Sequence, residues 1–170
     1  MKRCLIWLVV FHLAVSLTYA QTPKPDANNA GLKLPAGFVA LKVADGLGAA
    51  RLLAVAPNGD IFVKLENLKS GKGIYWLRDP KKDGRAEQKT GFGNYIGTGM
   101  YIKGNYLYAS SNTDIYRYKL DDNFKPDTAN PEKLVTGLLA RHQHESKSII
   151  VDNDGNLYTN IGAYSNANRS

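Results

Sequence analysis

Cysteine is nearly absent from this 170-residue chain: Cys4 is the only one, and it stands at the front of an apolar stretch. Beyond residue 20 there is no thiol, which excludes disulfides, thiolate metal sites and a cysteine nucleophile from that part and leaves packing to stabilise it. Histidine is scarce too, with three in all. No apolar run reaches the roughly 20 residues that a membrane span needs, and no stretch carries a convincing helical period. The formal charge is +7, yet beyond residue 20 the basic residues are scattered and only Lys81-Lys82 stand together, with Asp79 and Asp83 beside them. That pattern is a solvated surface and speaks against a nucleic-acid partner.

What is present begins with an export signal. Lys2 and Arg3 precede the apolar run Leu5–Leu17, which ends at Thr18-Tyr19-Ala20 before Gln21. This is the layout of a cleavable secretory peptide, and the run, about 13 residues, is too short to anchor the chain. Residues 1–20 are therefore read as a signal peptide and the product as periplasmic or extracellular, with no membrane span after cleavage and a net charge of +5. Residues 21–33, rich in Pro, Asn and Ala without periodicity, read as a flexible leader.

From residue 34 the signals are those of short strands: FVALKV (38–43), LLAVA (52–56), DIFVKL (60–65), GIYWL (73–77), YLYAS (106–110), DIYRYKL (114–120), SIIVD (148–152) and NLYTNI (156–161). Aromatic and β-branched residues alternate with polar ones. Asn58-Gly59, Gly104-Asn105 and Asp154-Gly155 mark tight hairpins. Tyr101, Tyr106, Tyr108, Tyr116 and Tyr118 fall at strand positions and read as sheet packing, with sugar stacking as the alternative.

These features recur. Gly46-Leu47, Gly91-Phe92 and Gly137-Leu138 stand 45 and 46 residues apart, and the pairs Ile61-Phe62, Leu107-Tyr108 and Leu157-Tyr158 stand 46 and 50 apart. A unit of about 45–50 residues with four short antiparallel strands is a β-propeller blade, whose faces only neighbouring blades can bury. The fold class is thus all-β, a propeller, with about three blades over residues 34–170. Since propellers close with about four to eight blades, the chain is expected to be part of a longer protein or, failing that, to assemble with other copies.

The third unit breaks the spacing. From the marker glycine to the apolar pair it has four or five extra residues, within Ala140-Arg141-His142-Gln143-His144-Glu145-Ser146-Lys147. A connection leading to an innermost strand faces the central channel, where such scaffolds carry ligand sites on their loops. His142 and His144 are two apart and would share one side of an extended backbone. Two nitrogens make half a metal site and no third ligand stands at a fixed spacing, so no metal site is assigned. A polar loop without a role is the alternative.

Leu34-Pro35-Ala36-Gly37-Phe38, ARLLAVAPNGDIFVKL (50–65), LRDPKKDGRAE (77–87) and above all HESKSIIVDNDGNLYTNIG (144–162) resemble the glucose/sorbosone dehydrogenase family. That resemblance implies a six-bladed propeller binding pyrroloquinoline quinone (PQQ), often with calcium, and oxidising a sugar or related polyol with hydride transfer to the quinone. The family motif, a histidine followed after one residue by serine and then the innermost strand, falls on His144-x-Ser146 and not on His142. By resemblance His144 is the base that takes the sugar hydroxyl proton, a task suited to a neutral imidazole with an ordinary pKa of about 6.5. The cationic quinone contacts and calcium ligands are expected beyond Ser170, and an early glutamine has no counterpart around Gly93–Gly99. The cofactor-binding residues and electron acceptor thus stay unassigned.

Two further motifs carry less. Asp79-Pro80-Lys81-Lys82-Asp83-Gly84 resembles a calcium loop, but Lys81 stands where a ligand is needed, so a turn is expected. Asn168-Arg169-Ser170 has the form of a glycosylation sequon. A non-catalytic propeller that binds carbohydrate or protein is the alternative to the enzyme, and a calcium-dependent lactonase would need an acidic cluster on the channel face that the sequence does not offer.

Overall fold

A computed structural model describes residues 22–140 and 144–163. The signal segment 1–20, His142 and the Asn168 sequon lie outside the described residues.

Ten strands form three antiparallel sheets, and among the described residues there is no α-helix, only the 3-10 turn Asn29–Gly31. The first sheet has β1 (Ala50–Val55), β2 (Ile61–Lys69), β3 (Lys72–Arg78) and β4 (Gln88–Phe92) in sequence order. The second repeats it with β5 (Met100–Lys103), β6 (Tyr106–Ser110), β7 (Ile115–Lys119) and β8 (Glu132–Val135). The third is the pair β9 (Ile149–Val151) and β10 (Leu157–Thr159). First strands lie side by side, β1 against β5 and β5 against β9, so the sheets stack face to face as successive propeller units do.

Period-two alternation decides what each face buries. On β2, Phe62 points towards the second sheet, where it joins Ile74, Trp76, Phe92, Met100, Leu107, Tyr118 and Leu120 in one core. Its neighbours Val63 and Leu65 point the other way and are covered by Val43, Ala44 and Leu47. On β6, Leu107 and Ala109 face the first sheet while Tyr108 packs with Ile115 against Ile149 and Val151 of the third. Aromatic edges lock the first interface: Phe92 meets Tyr118 edge-on at 5.1 Å and Phe62 meets Phe92 at 6.3 Å. Buried Asp60 is satisfied by the Trp76 indole N–H, 2.9 Å away.

All three hairpins form, with different loops. Pro57-Asn58-Gly59 and Asn153-Asp154-Gly155 are three-residue loops closed by the Ala56 amide donating to the Asp60 carbonyl and the Asp152 amide donating to that of Asn156. Gly59 and Gly155 take φ of 90° and 88°, the left-handed conformation this loop demands. Gly104-Asn105 is a two-residue turn. The loops differ by one residue, but the faces keep the repeat register: Phe62 turns to the second sheet as Tyr108 turns to the third, so Ile61-Phe62 corresponds to Leu107-Tyr108.

Two expectations change. FVALKV (38–43) is not a strand: it makes no ladder, and Phe38 and Val39 are exposed. It is tied instead by single contacts, Arg85 donating to the Lys42 carbonyl and Asp26 accepting from the Lys42 amide. Gly91 lies inside β4, whereas Gly46 and Gly137 lie outside strands, so the three glycines are not equivalent. Measured between strands, the connection from the first to the second sheet is seven residues, 93–99, and that from the second to the third is thirteen, 136–148. The insertion stands, and is six residues long.

Candidate active site

The connections leading into β5 and β9 meet the ends of β2 and β6 around a cavity of about 340 Å³, within the size of small-ligand sites. Arg51 and Glu66 form one wall, Ile96, Gly97 and Thr98 a second, and His144, Glu145 and Ser146 a third, with Asn67 and Asn112 between them. His144, at the end of the inserted stretch, therefore reaches the cavity. The structure brings it together with polar groups from all three sheets.

Each wall is held. Arg51 pairs with Glu66 at 3.2 Å. The Asn112 amide donates to the Glu145 carboxylate. Behind His144, the Lys147 amide donates to the Thr98 hydroxyl (2.8 Å) and the buried Ser110 hydroxyl donates to the Lys147 carbonyl (3.0 Å). From the other side the Gly162 amide donates to the Ser146 carbonyl (3.1 Å), and the Asn160 side chain accepts the Ser148 amide (2.7 Å).

Beneath the Ile96–Thr98 wall sits a fully buried lysine, Lys64, whose ammonium donates to the Tyr95 carbonyl at 3.2 Å and lies 3.8 Å from that ring's centre. Burial lowers its pKa to about 7. Burial and the Tyr118 hydroxyl push Tyr95 above the usual phenol range, and the two hydroxyls share a hydrogen bond of 2.9 Å.

Sequence reasoning missed Arg51, Glu66, Asn67, Thr98 and Asn112. One signal was available: Glu66 and Asn112 are 46 residues apart, the spacing of Phe62 and Tyr108, which face the following sheet. The tyrosines are packing residues. Tyr108 and Tyr118 are buried, Tyr95 and Tyr116 stack at 4.5 Å with Lys64 over the one and Lys133 over the other, and Arg117 covers Tyr106. The two faces of Tyr116 are taken by Tyr95 and Lys133, and one face of Tyr106 by Arg117.

Asp79, Asp83 and Glu87 lie together, but the Asp79 carboxylate accepts the Asp83 and Gly84 amides and Glu87 pairs with Lys81 at 2.7 Å, as a turn requires. For a quinone bearing carboxylates, the described residues lining the cavity offer one fixed cation, Arg51, already paired with Glu66. The donor set fits the uncharged, reacting side of such a group and not its carboxylates.

These features define an all-β, propeller-like domain with a polar loop cavity that, among the described residues, carries His144. A family model described as TrAA12-like matches residues 32–170, and the chain belongs to that family, in agreement with the resemblance to quinone-dependent sugar dehydrogenases. Among solved structures it is similar to the holo form of the pyranose dehydrogenase PQQ domain from Coprinopsis cinerea, with a TM-score of 0.54 and 19% identity over 66% of this chain and 27% of that one. The iodide structure of the Trichoderma reesei Carbohydrate-Active Enzymes Family AA12 protein matches with a TM-score of 0.51 and 20% identity over 66% and 29%. Its calcium structure gives 0.51 and 20% over 66% and 28%. The chain thus spans less than a third of the length of these structures. A comparison with curated protein sequences finds no match.

Proposed function

We propose that the chain forms the first blades of a six-bladed, exported sugar dehydrogenase in which a sugar hydroxyl is oxidised and PQQ, with or without calcium, is the cofactor. The activity belongs to the complete domain. This chain contributes the wall that binds and deprotonates the sugar, while cations for the quinone carboxylates come from residues outside it. The observation that carries the reading is His144 in the cavity wall, on the one connection that outgrows the repeat.

The residues present suit that half of the reaction. A carbon–hydrogen bond gives up its hydrogen with the electron pair readily only as the neighbouring hydroxyl loses its proton, and an imidazole is the side chain that accepts a proton near neutral pH. Asn67, Asn112 and Thr98 offer donors and acceptors for the remaining hydroxyls of a sugar or polyol. The bound quinone would supply the acceptor for the electrons.

The test is to titrate the complete apoprotein carrying this sequence with PQQ, then add aldoses and an artificial electron acceptor. Quinone-dependent reduction of the acceptor is expected. A complete protein that binds sugars but turns none over with quinone bound would establish the non-catalytic binding alternative instead. Export is part of the same proposal, and the secreted product is expected to start at Gln21 by N-terminal sequencing.

A further inference from the structure

We infer that Gly99 and Gly162 are positioning residues for His144, setting how far its backbone sits back from the cavity; this rests on the reading of His144 as the base. The segment 144–148 passes between them. A Cβ at position 162 would overlap the His144 carbonyl oxygen and stand 2.6 Å from the carbonyl carbon and 3.0 Å from the His144 Cβ. A Cβ at position 99 would overlap the Lys147 carbonyl oxygen and stand 2.8 Å from the Ser110 hydroxyl. Neither glycine has a positive φ, so neither is needed for its backbone conformation. Space alone selects glycine at both places.

The two act from opposite sides. Gly162, just past β10, backs His144 itself and holds Ser146 through its amide. Gly99, just before β5, donates its amide to the Ser110 hydroxyl (2.8 Å), and that hydroxyl in turn donates to the Lys147 carbonyl. Thr98 completes the grip by accepting the Lys147 amide. A thirteen-residue connection is thereby fixed at its last five residues, so the imidazole is carried by a rigid stretch. An added methyl at 162 must push His144 bodily, since backbone and not a flexible side-chain tip stands in the way.

Misplacing a reacting group by about 1 Å costs roughly a hundredfold in rate. In the complete protein, Gly162→Ala is therefore expected to lower kcat about a hundredfold, with KM for the sugar and quinone affinity little changed. In a His142→Gln background, the His144 imidazole resonance in a histidine-labelled NMR spectrum should shift. Phe62→Leu serves as a control that lowers Tm without moving that resonance. A folded Gly162→Ala protein with unchanged kcat and unchanged resonance would overturn the inference, as would a Phe62→Leu variant that moves the resonance equally. If Gly162→Ala does not fold, Thr98→Val loosens the same segment from the other side, and an unmoved resonance there would overturn the inference too. His144→Ala separates the two claims: retained turnover in that variant removes the base, while a shifted resonance in Gly162→Ala still establishes the clamp.

Discussion

The two connections between sheets, 93–99 and 136–148, carry the chain from an outer strand to the first strand of the next sheet by different means. The short one is held from below, by the buried Lys64 under the Tyr95 carbonyl, by the Tyr95–Tyr118 hydroxyl pair, and by Gly73, where a side chain would overlap that carbonyl. The long one is held from the sides, by hydroxyls and an amide borrowed from both neighbouring sheets. The regular connection continues the core. The irregular one leaves it, and the histidine that reaches the cavity sits there.

Several changes would sharpen that contrast. The largest effect is expected from Phe62→Ala, which empties the centre of the core beneath the short connection; a loss of about 3–5 kcal/mol in urea unfolding is expected. A loss below about 1 kcal/mol would mean that the first two sheets are not packed on this side chain.

Next is the pH dependence that Lys64 imposes. Its folded-state pKa, about 7, lies below the ordinary 10.5. Between those values the unfolded chain holds a proton that the folded chain does not, so Lys64 adds stability as pH rises from about 7 towards 10.5. That gain is lost as pH falls back to 7. The slope is about 1.4 kcal/mol per pH unit within that window. Unfolding at pH 7 and pH 9.5 would show it, and Lys64→Met should flatten it; an unchanged slope in the variant would place the titration elsewhere.

Ser110→Ala addresses the long connection. It strips a buried bridge between the Gly99 amide and the Lys147 carbonyl, and about 1–3 kcal/mol is expected to be lost. The smallest effect belongs to the exposed pair Arg117–Glu132, 2.6 Å apart. Glu132→Gln should change stability by less than about 1 kcal/mol, and a larger loss would show that surface charge, not the two connections, dominates.

Much of this was legible in the sequence because buried strands alternate. The stretches 52–56, 60–65, 73–77, 106–110, 114–120, 148–152 and 156–161 each coincide with a strand. β4 (QKTGF) and β8 (EKLV) were not legible, since outer strands are exposed on most positions and carry no alternation. β5 is four residues long, too short to show a period. FVALKV alternates, yet pairs with no strand among the described residues, because periodicity states which side is apolar and not whether a partner stands beside it. The insertion was visible as a break in spacing, although Gly91 was a misleading marker. The cavity walls were invisible for a different reason. Arg51 comes from the first sheet and Thr98 and Asn112 from the ends of the second, and only stacking of the sheets brings them to His144.

The most direct test of the account compares His144→Ala with His142→Ala in the complete, quinone-loaded protein, by steady-state turnover of an aldose with an artificial acceptor. If the longer connection exists to place His144 as the base, His144→Ala loses about a hundred- to ten-thousand-fold in kcat with quinone still bound, while His142→Ala changes it far less. Near-wild-type turnover of the His144 variant, or equal losses in the two, would contradict it.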